Sequence, residues 1–83
     1  MKLQVRYFAS IRESLGSGET VEVEPGTRLG DLRDLLIAGD AAHAQALARG
    51  RALRVALNQS LSDESAALAD GDEVAFFPPV TGG

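Results

Sequence analysis

Two periodicities take turns along this chain, and their order restricts it to a sheet packed against helix. Residues 2–8 alternate, with Leu3, Val5 and Tyr7 on one face and Lys2, Gln4, Arg6 and Phe8 on the other. A helical turn over 11–15 and the breaker Gly16-Ser17-Gly18 follow. Residues 19–24 alternate again, with Val21 and Val23 inward and Glu22 and Glu24 sharing the outer face, until Pro25-Gly26 ends the run. These two strands form an N-terminal hairpin. The period then changes: Thr27 is placed to cap a helix carrying Leu29, Leu32, Leu35 and Leu36 at helical spacing. Gly30 in its first turn weakens that helix slightly. Asp40 caps a second short helix over 41–48, closed by Arg49-Gly50. Residues 54–57 form a third strand, and Asn58-Gln59 begins a turn. Leu68 fills the core from a helical turn near 65–69, and Asp70-Gly71-Asp72 leads into a last strand, 73–77. Strand, strand, helix, strand, strand predicts an α+β protein with a mixed sheet and one main helix on one face.

Eighty-three residues suffice for one modest core and not for two. At 45% hydrophobic and 24% charged residues the composition is that of a soluble globular domain. No apolar run reaches the ~18 residues that cross a membrane, and the opening residues read as strand rather than signal peptide. The chain has no cysteine, which removes disulfides, thiolate metal sites and any pointer to secretion. A sulfur handled by such a protein has no thiol side chain to sit on. Net charge is −4, from 12 acidic and 8 basic residues. That balance repels phosphate backbones, excludes nucleic acid as the expected partner and favours a partner with a basic face.

Most catalytic readings fail. His43, the only histidine, lies among alanines and is expected on a helix surface rather than at a metal or catalytic centre. No serine sits in a Gly-x-Ser-x-Gly elbow. Gly16-Ser17-Gly18 lacks the Lys-Ser/Thr of a phosphate loop, and Asp70-Gly71-Asp72 lacks the ligand spacing of a calcium loop.

The C-terminal residues are different. Phe76-Phe77-Pro78-Pro79-Val80-Thr81-Gly82-Gly83 couples an apolar strand to two prolines, which stop the strand and stiffen the exit. From Val80 to Gly83 an extended chain reaches at most ~14 Å. Gly82 and Gly83 have no β-carbon and can thread a channel closed to other residues. A domain over 1–79 with a slim, flexible tail at 80–83 is suited to delivering one carboxylate into another protein's active site. Beside that tail, strand parity turns Phe8 and Phe77 away from the core. Leu61 follows a turn among polar neighbours. The three form either an exposed apolar patch of the kind that marks a partner site or an extension of the core beneath a loop.

The run from Asp70 to Gly83, together with Tyr7-Phe8-Ala9-Ser10-Ile11-Arg12-Glu13 and Val55-Ala56-Leu57-Asn58-Gln59, resembles the family of small, sulfur-carrying subunits of molybdopterin synthase. The resemblance spans the whole chain and implies a ubiquitin-like β-grasp fold and a cytoplasmic protein. It also implies that Gly83 is adenylated by a ubiquitin-activating-type enzyme using ATP, with no cofactor held tightly by the carrier itself. A sulfur donor protein then supplies sulfur, which replaces AMP to leave a thiocarboxylate. The modified tail enters the large subunit of molybdopterin synthase and donates sulfur to cyclic pyranopterin monophosphate. On this reading the carrier is not an enzyme on its own. Gly82 accompanies Gly83 into the reaction, while Phe8, Leu61, Phe77, Pro78, Pro79, Val80 and Thr81 meet the larger partner. Three alternatives remain at the level of sequence: a thiamine-type sulfur carrier, a ubiquitin-like modifier of proteins, and an interaction module whose glycine end is accidental. The Phe-Phe-Pro-Pro-Val-Thr run fits the molybdopterin pattern better than the thiamine one. Chain building of the ubiquitin kind finds Lys2 as its single lysine.

Overall fold

The structure, a computed structural model, describes residues 1–79. Its elements are β1 (Lys2–Tyr7), α1 (Ala9–Leu15), β2 (Gly18–Glu22), α2 (Leu29–Gly39), α3 (Ala41–Ala46), β3 (Arg54–Leu57), β4 (Ser60–Ser62) and β5 (Glu73–Phe77). All five strands join one sheet in the order β2-β1-β5-β3-β4. β1 pairs antiparallel with β2 and parallel with β5, and β3 pairs antiparallel with β5 and with β4. The first and last strands thus lie side by side in the middle, and β5 is hydrogen-bonded along both edges.

The alternation in β1 buries Leu3, Val5 and Tyr7 as expected. They meet Val55, Val74 and Phe76 from the neighbouring strands and Leu29, Leu32 and Leu36 from α2, with Ile11, Ala46, Leu47 and Leu68 closing the core. Tyr7 and Phe76, opposite each other across β1 and β5, stack with ring centroids 6.3 Å apart. One face of the sheet is therefore sealed by helix, and the expected α+β arrangement holds.

Several boundaries differ from the sequence reading. The sheet has a fifth strand, β4, where only a turn was expected: Asn58 and Gln59 both adopt left-handed backbone, with φ of 50° and 69°, and fold the chain back on β3. β2 spans Gly18–Glu22, where Glu22 faces Lys2, and Val23 makes the last contacts by exchanging hydrogen bonds with Met1. Gly18 passes so close to the Val5 carbonyl that no side chain fits there. The cap of α2 is Arg28, not Thr27: the Arg28 N–H donates to Asp31 Oδ2 at 3.0 Å, while the Thr27 hydroxyl donates to the Glu24 carbonyl. Asp40 does cap α3, accepting from the His43 N–H at 2.8 Å, but that helix stops at Ala46. Leu68 is buried as expected. It is held not by a helical turn but by extended chain, where Ala67 bridges to Arg28 and the Leu68 N–H donates to the Thr27 carbonyl.

Candidate functional site

β5 is the structural base of the C-terminal segment. Its inward residues Val74 and Phe76 are fully buried, and its two neighbours fix its register: Tyr7 faces Phe76 across β1, and Arg54 faces Phe77 across β3. A strand tied on both sides cannot slide without turning Phe76 out of the core. Pro78 and Pro79, half-buried, leave β5 directly from this anchored end. Val80, Thr81, Gly82 and Gly83 lie outside the described residues.

The same part of the sheet carries Phe8 and Phe77, singled out from parity, and Leu61, singled out as following a turn. On the face turned away from the helices, the ladder aligns Ala75 of β5 with Ala56 of β3 and Leu61 of β4 in one row. Phe77 lies two residues further along β5 on that face. Phe8, one residue beyond the Tyr7–Phe76 pair, donates its N–H to the Phe76 carbonyl at 3.2 Å. Phe8 is 41% exposed and Leu61 71%, while Phe77 is half-buried and the two alanines are buried. None of the three large residues belongs to the core. Phe8 sits at a sharp corner: the next residue, Ala9, has φ of 54°, a left-handed conformation that costs an L-residue roughly 1 kcal/mol. That bend ends β1 and starts α1, and it keeps Phe8 out of the strand in which the alternation had placed it.

Two polar networks escaped the sequence reading. Arg33 on α2 is only 4% exposed. Its guanidinium donates to the carbonyls of Leu47 and Ala48 at 2.8 and 2.7 Å and to Glu64 Oε2 at 2.8 Å. Glu64 also pairs with Arg49, and burial, which would raise its pKa, is outweighed by hydrogen bonds from Arg49 and Arg33 that lower it. This network closes the loop after α3 and the loop before Leu68 onto α2. The second network contains His43, which is largely covered rather than on the open helix surface. Its Nε2 lies 2.7 Å from Glu19 Oε2 and its Nδ1 2.8 Å from Asp40 Oδ1, while the Tyr7 hydroxyl donates to Glu19 Oε2 at 2.7 Å. Burial pulls the His43 pKa down, but the two carboxylates outweigh it and hold it above the ordinary value. Burial likewise raises Glu19, and hydrogen bonds from His43 and Tyr7 bring it below the carboxylate range. The tyrosine is pushed far up by burial and by Glu19, so it stays protonated and keeps its donor to Glu19. No group of three metal-ligating side chains occurs among the described residues. No helix among them is long and apolar enough to cross a membrane.

The profile of the ThiS family matches residues 5–83 of this sequence. The chain belongs to the ThiS family. Over 81 residues this ThiS-family chain is 42% identical to the molybdopterin synthase sulfur carrier subunit of Escherichia coli (strain K12), covering 98% of this chain and 99% of that one. Among solved structures it is similar to SAMP1 from Haloferax volcanii, with a TM-score of 0.78 at 32% identity over the full length of both chains. It is also similar to a chain of the complex of subunits 1 and 2 of the molybdopterin-converting factor from Helicobacter pylori, with a TM-score of 0.71 at 30% identity over all of both chains. A ubiquitin from Caldiarchaeum subterraneum matches at a TM-score of 0.59 and 19% identity over 100% of this chain and 98% of that one, which bears on the fold alone. The ThiS-family protein thus has a ubiquitin-like β-grasp fold.

Proposed function

We propose that this protein is the sulfur carrier subunit of a molybdopterin synthase, working in the cytoplasm with a large subunit that performs the chemistry. The observation that carries the proposal is the course of β5. A strand locked in the middle of the sheet leads into Pro78-Pro79 and, in sequence, Gly82-Gly83, beside the exposed Phe8 and Leu61 that a partner can cover. Full-length likeness to a chain named as that subunit, and to one solved in complex with a second subunit, supports the same reading over the thiamine-type alternative.

The chemistry follows from what a carboxylate can do. It cannot lose oxide directly, so the Gly83 carboxylate attacks ATP on an activating enzyme, releases pyrophosphate and becomes an acyl adenylate. A sulfur nucleophile supplied by a donor protein then displaces AMP and leaves a thiocarboxylate. That terminus, ionised at neutral pH and strongly nucleophilic, delivers its sulfur to cyclic pyranopterin monophosphate inside the large subunit. Water attacking the acyl carbon restores the carboxylate. The carrier binds no cofactor tightly, and ATP belongs to the activating step. Phe8, Leu61, Phe77, Pro78, Pro79, Val80 and Thr81 dock the head and guide the tail, and glycine at 82 and 83 lets the backbone pass a narrow channel.

Adding one alanine after Gly83 tests the reading. Sulfur transfer should be abolished while the thermal unfolding of the domain stays unchanged, because reach and registry of the carboxyl are lost without touching the core. Full synthase activity from the extended chain would rule out the terminal mechanism.

A further inference from the structure

The apolar row on the outer face of the sheet is flanked by two arginines whose charge runs against that of the chain. Arg6 on β1 stands opposite Ala75, and Arg54 on β3 stands opposite Phe77, so the two bracket β5 diagonally from strands about 10 Å apart. Both are exposed. Among the described residues neither makes an ion pair or a side-chain hydrogen bond, although Arg33 and Arg49 elsewhere are fully engaged. Nor is a counter-charge supplied by their neighbours in the ladder. The residue facing Arg6 across β2 is Gly18. Glu73 on β5 lies opposite Gln4, one row away toward the far end of the strand. Asp63, which follows β4, is held instead by the N–H and hydroxyl of Ser65, which lower its pKa. At the opposite end of the same face Lys2 has Glu22 directly across from it. Arg6 and Arg54 therefore leave positive charge without an ion pair beside the patch, among the described residues of a chain whose net charge is −4.

Arginine and phenylalanine are the residue types that anchor interfaces, and an arginine covered by a partner without a carboxylate to meet it carries a large desolvation penalty. We infer that Arg6 and Arg54 select the partner of this face, and that the larger subunit docking there presents carboxylates around an apolar seat for Phe8, Leu61 and Phe77. The inference rests on the functional reading above and adds the chemistry of the partner's rim. It is the reverse of what the net charge suggests, since among the described residues neither arginine pairs with the acidic residues responsible for that charge.

The test measures association and dissociation rates of the full-length carrier with the purified large subunit of molybdopterin synthase from the same organism. Two ionic strengths are used, about 0.01 M and about 0.15 M, between which the Debye length falls from about 30 Å to about 8 Å. Wild-type association should slow as salt rises. The double variant Arg6→Glu/Arg54→Glu should associate at least about tenfold more slowly at the lower salt, with the gap narrowing at the higher one. Arg6→Lys/Arg54→Lys should keep the wild-type salt dependence, which separates charge from any effect on folding. Association of the charge-reversed variant at an unchanged or increased rate would overturn the inference, the increase signifying a basic rim. If wild type binds and Phe77→Ala weakens binding while charge reversal does nothing, only this inference falls. If wild type does not bind the large subunit at all, the functional reading falls with it.

Discussion

Phe77 and Phe76 are chemically identical neighbours with opposite roles, separated only by the two-residue repeat of the strand. Phe76 is fully buried against Tyr7, whereas Phe77 is half-buried on the outer face. Phe77→Ala should therefore weaken binding to the large subunit by about 2 kcal/mol or more while lowering folding stability by less than about 1 kcal/mol. Parallel binding and thermal-unfolding measurements decide this, and a large stability loss with unchanged binding would return Phe77 to the core. Arg33→Ala should do the opposite. It leaves the Leu47 and Ala48 carbonyls and the Glu64 carboxylate without their donor, and should destabilise the fold by about 3 kcal/mol in urea unfolding. The period-two positions were legible at this scale; Arg33 was not, because charge argues against burial. Angular accounting would have found it. At about 100° per residue, Leu29, Leu32, Arg33 and Leu36 share one face of α2 while Leu35 points elsewhere, and Leu35 is indeed 55% exposed rather than in the core. Gly82→Val should give a folded protein that still binds the large subunit through the head but is poorly adenylated and poorly used as a donor. Near-normal adenylation and transfer, measured on one preparation, would remove the narrow-channel argument.

Among the elements, the β3–β4 hairpin was the hardest to read. A two-residue turn with left-handed backbone at both positions is usually signalled by Asn-Gly, and here the second position is Gln59. Gln59→Gly should relieve that conformation and raise stability by about 0.5–1 kcal/mol, read as an increased urea midpoint with an unchanged slope. β1, β3 and β5 were legible because alternation and a proline stop mark their ends. α3 was legible from the aspartate that caps it, but the role of its histidine was not, since Glu19 comes from β2 and reaches His43 only in the folded chain. That ion pair gives stability a pH dependence. His43 has a raised pKa, so its contribution is complete below its unfolded value of 6.5 and disappears as pH rises through the folded one. Glu19 has a lowered pKa, so its contribution is present above 4.5 and disappears as pH falls through the folded value. The network is strongest between those limits, on the acid side of neutrality. His43→Gln should therefore cost on the order of 1 kcal/mol more at pH 6 than at pH 9, and an equal cost at both would show that the histidine works through packing alone.

For the molecule as a whole, the fold divides labour between its two faces. The helical face seals the core and is locked by the Arg33 and His43 networks, while the opposite face carries the apolar row, the two uncompensated arginines and the exit of β5. The α+β class was legible from the order of periodicities; the central place of the last strand was not, because alternation marks a strand without naming its neighbours. The two arginines left without an ion pair beside the patch were not legible either, because composition records net charge and not which strand neighbours cancel. All of this serves one claim, that Gly83 carries sulfur as a thiocarboxylate. The direct measurement is the intact mass of the carrier after incubation with its activating enzyme, ATP and a sulfur donor, followed by fragmentation to locate the change. The account predicts a species heavier by the difference between sulfur and oxygen, with the added mass confined to Gly83 and removed by turnover with the large subunit and pterin precursor. An unchanged mass, or sulfur found on any residue other than Gly83, would contradict it.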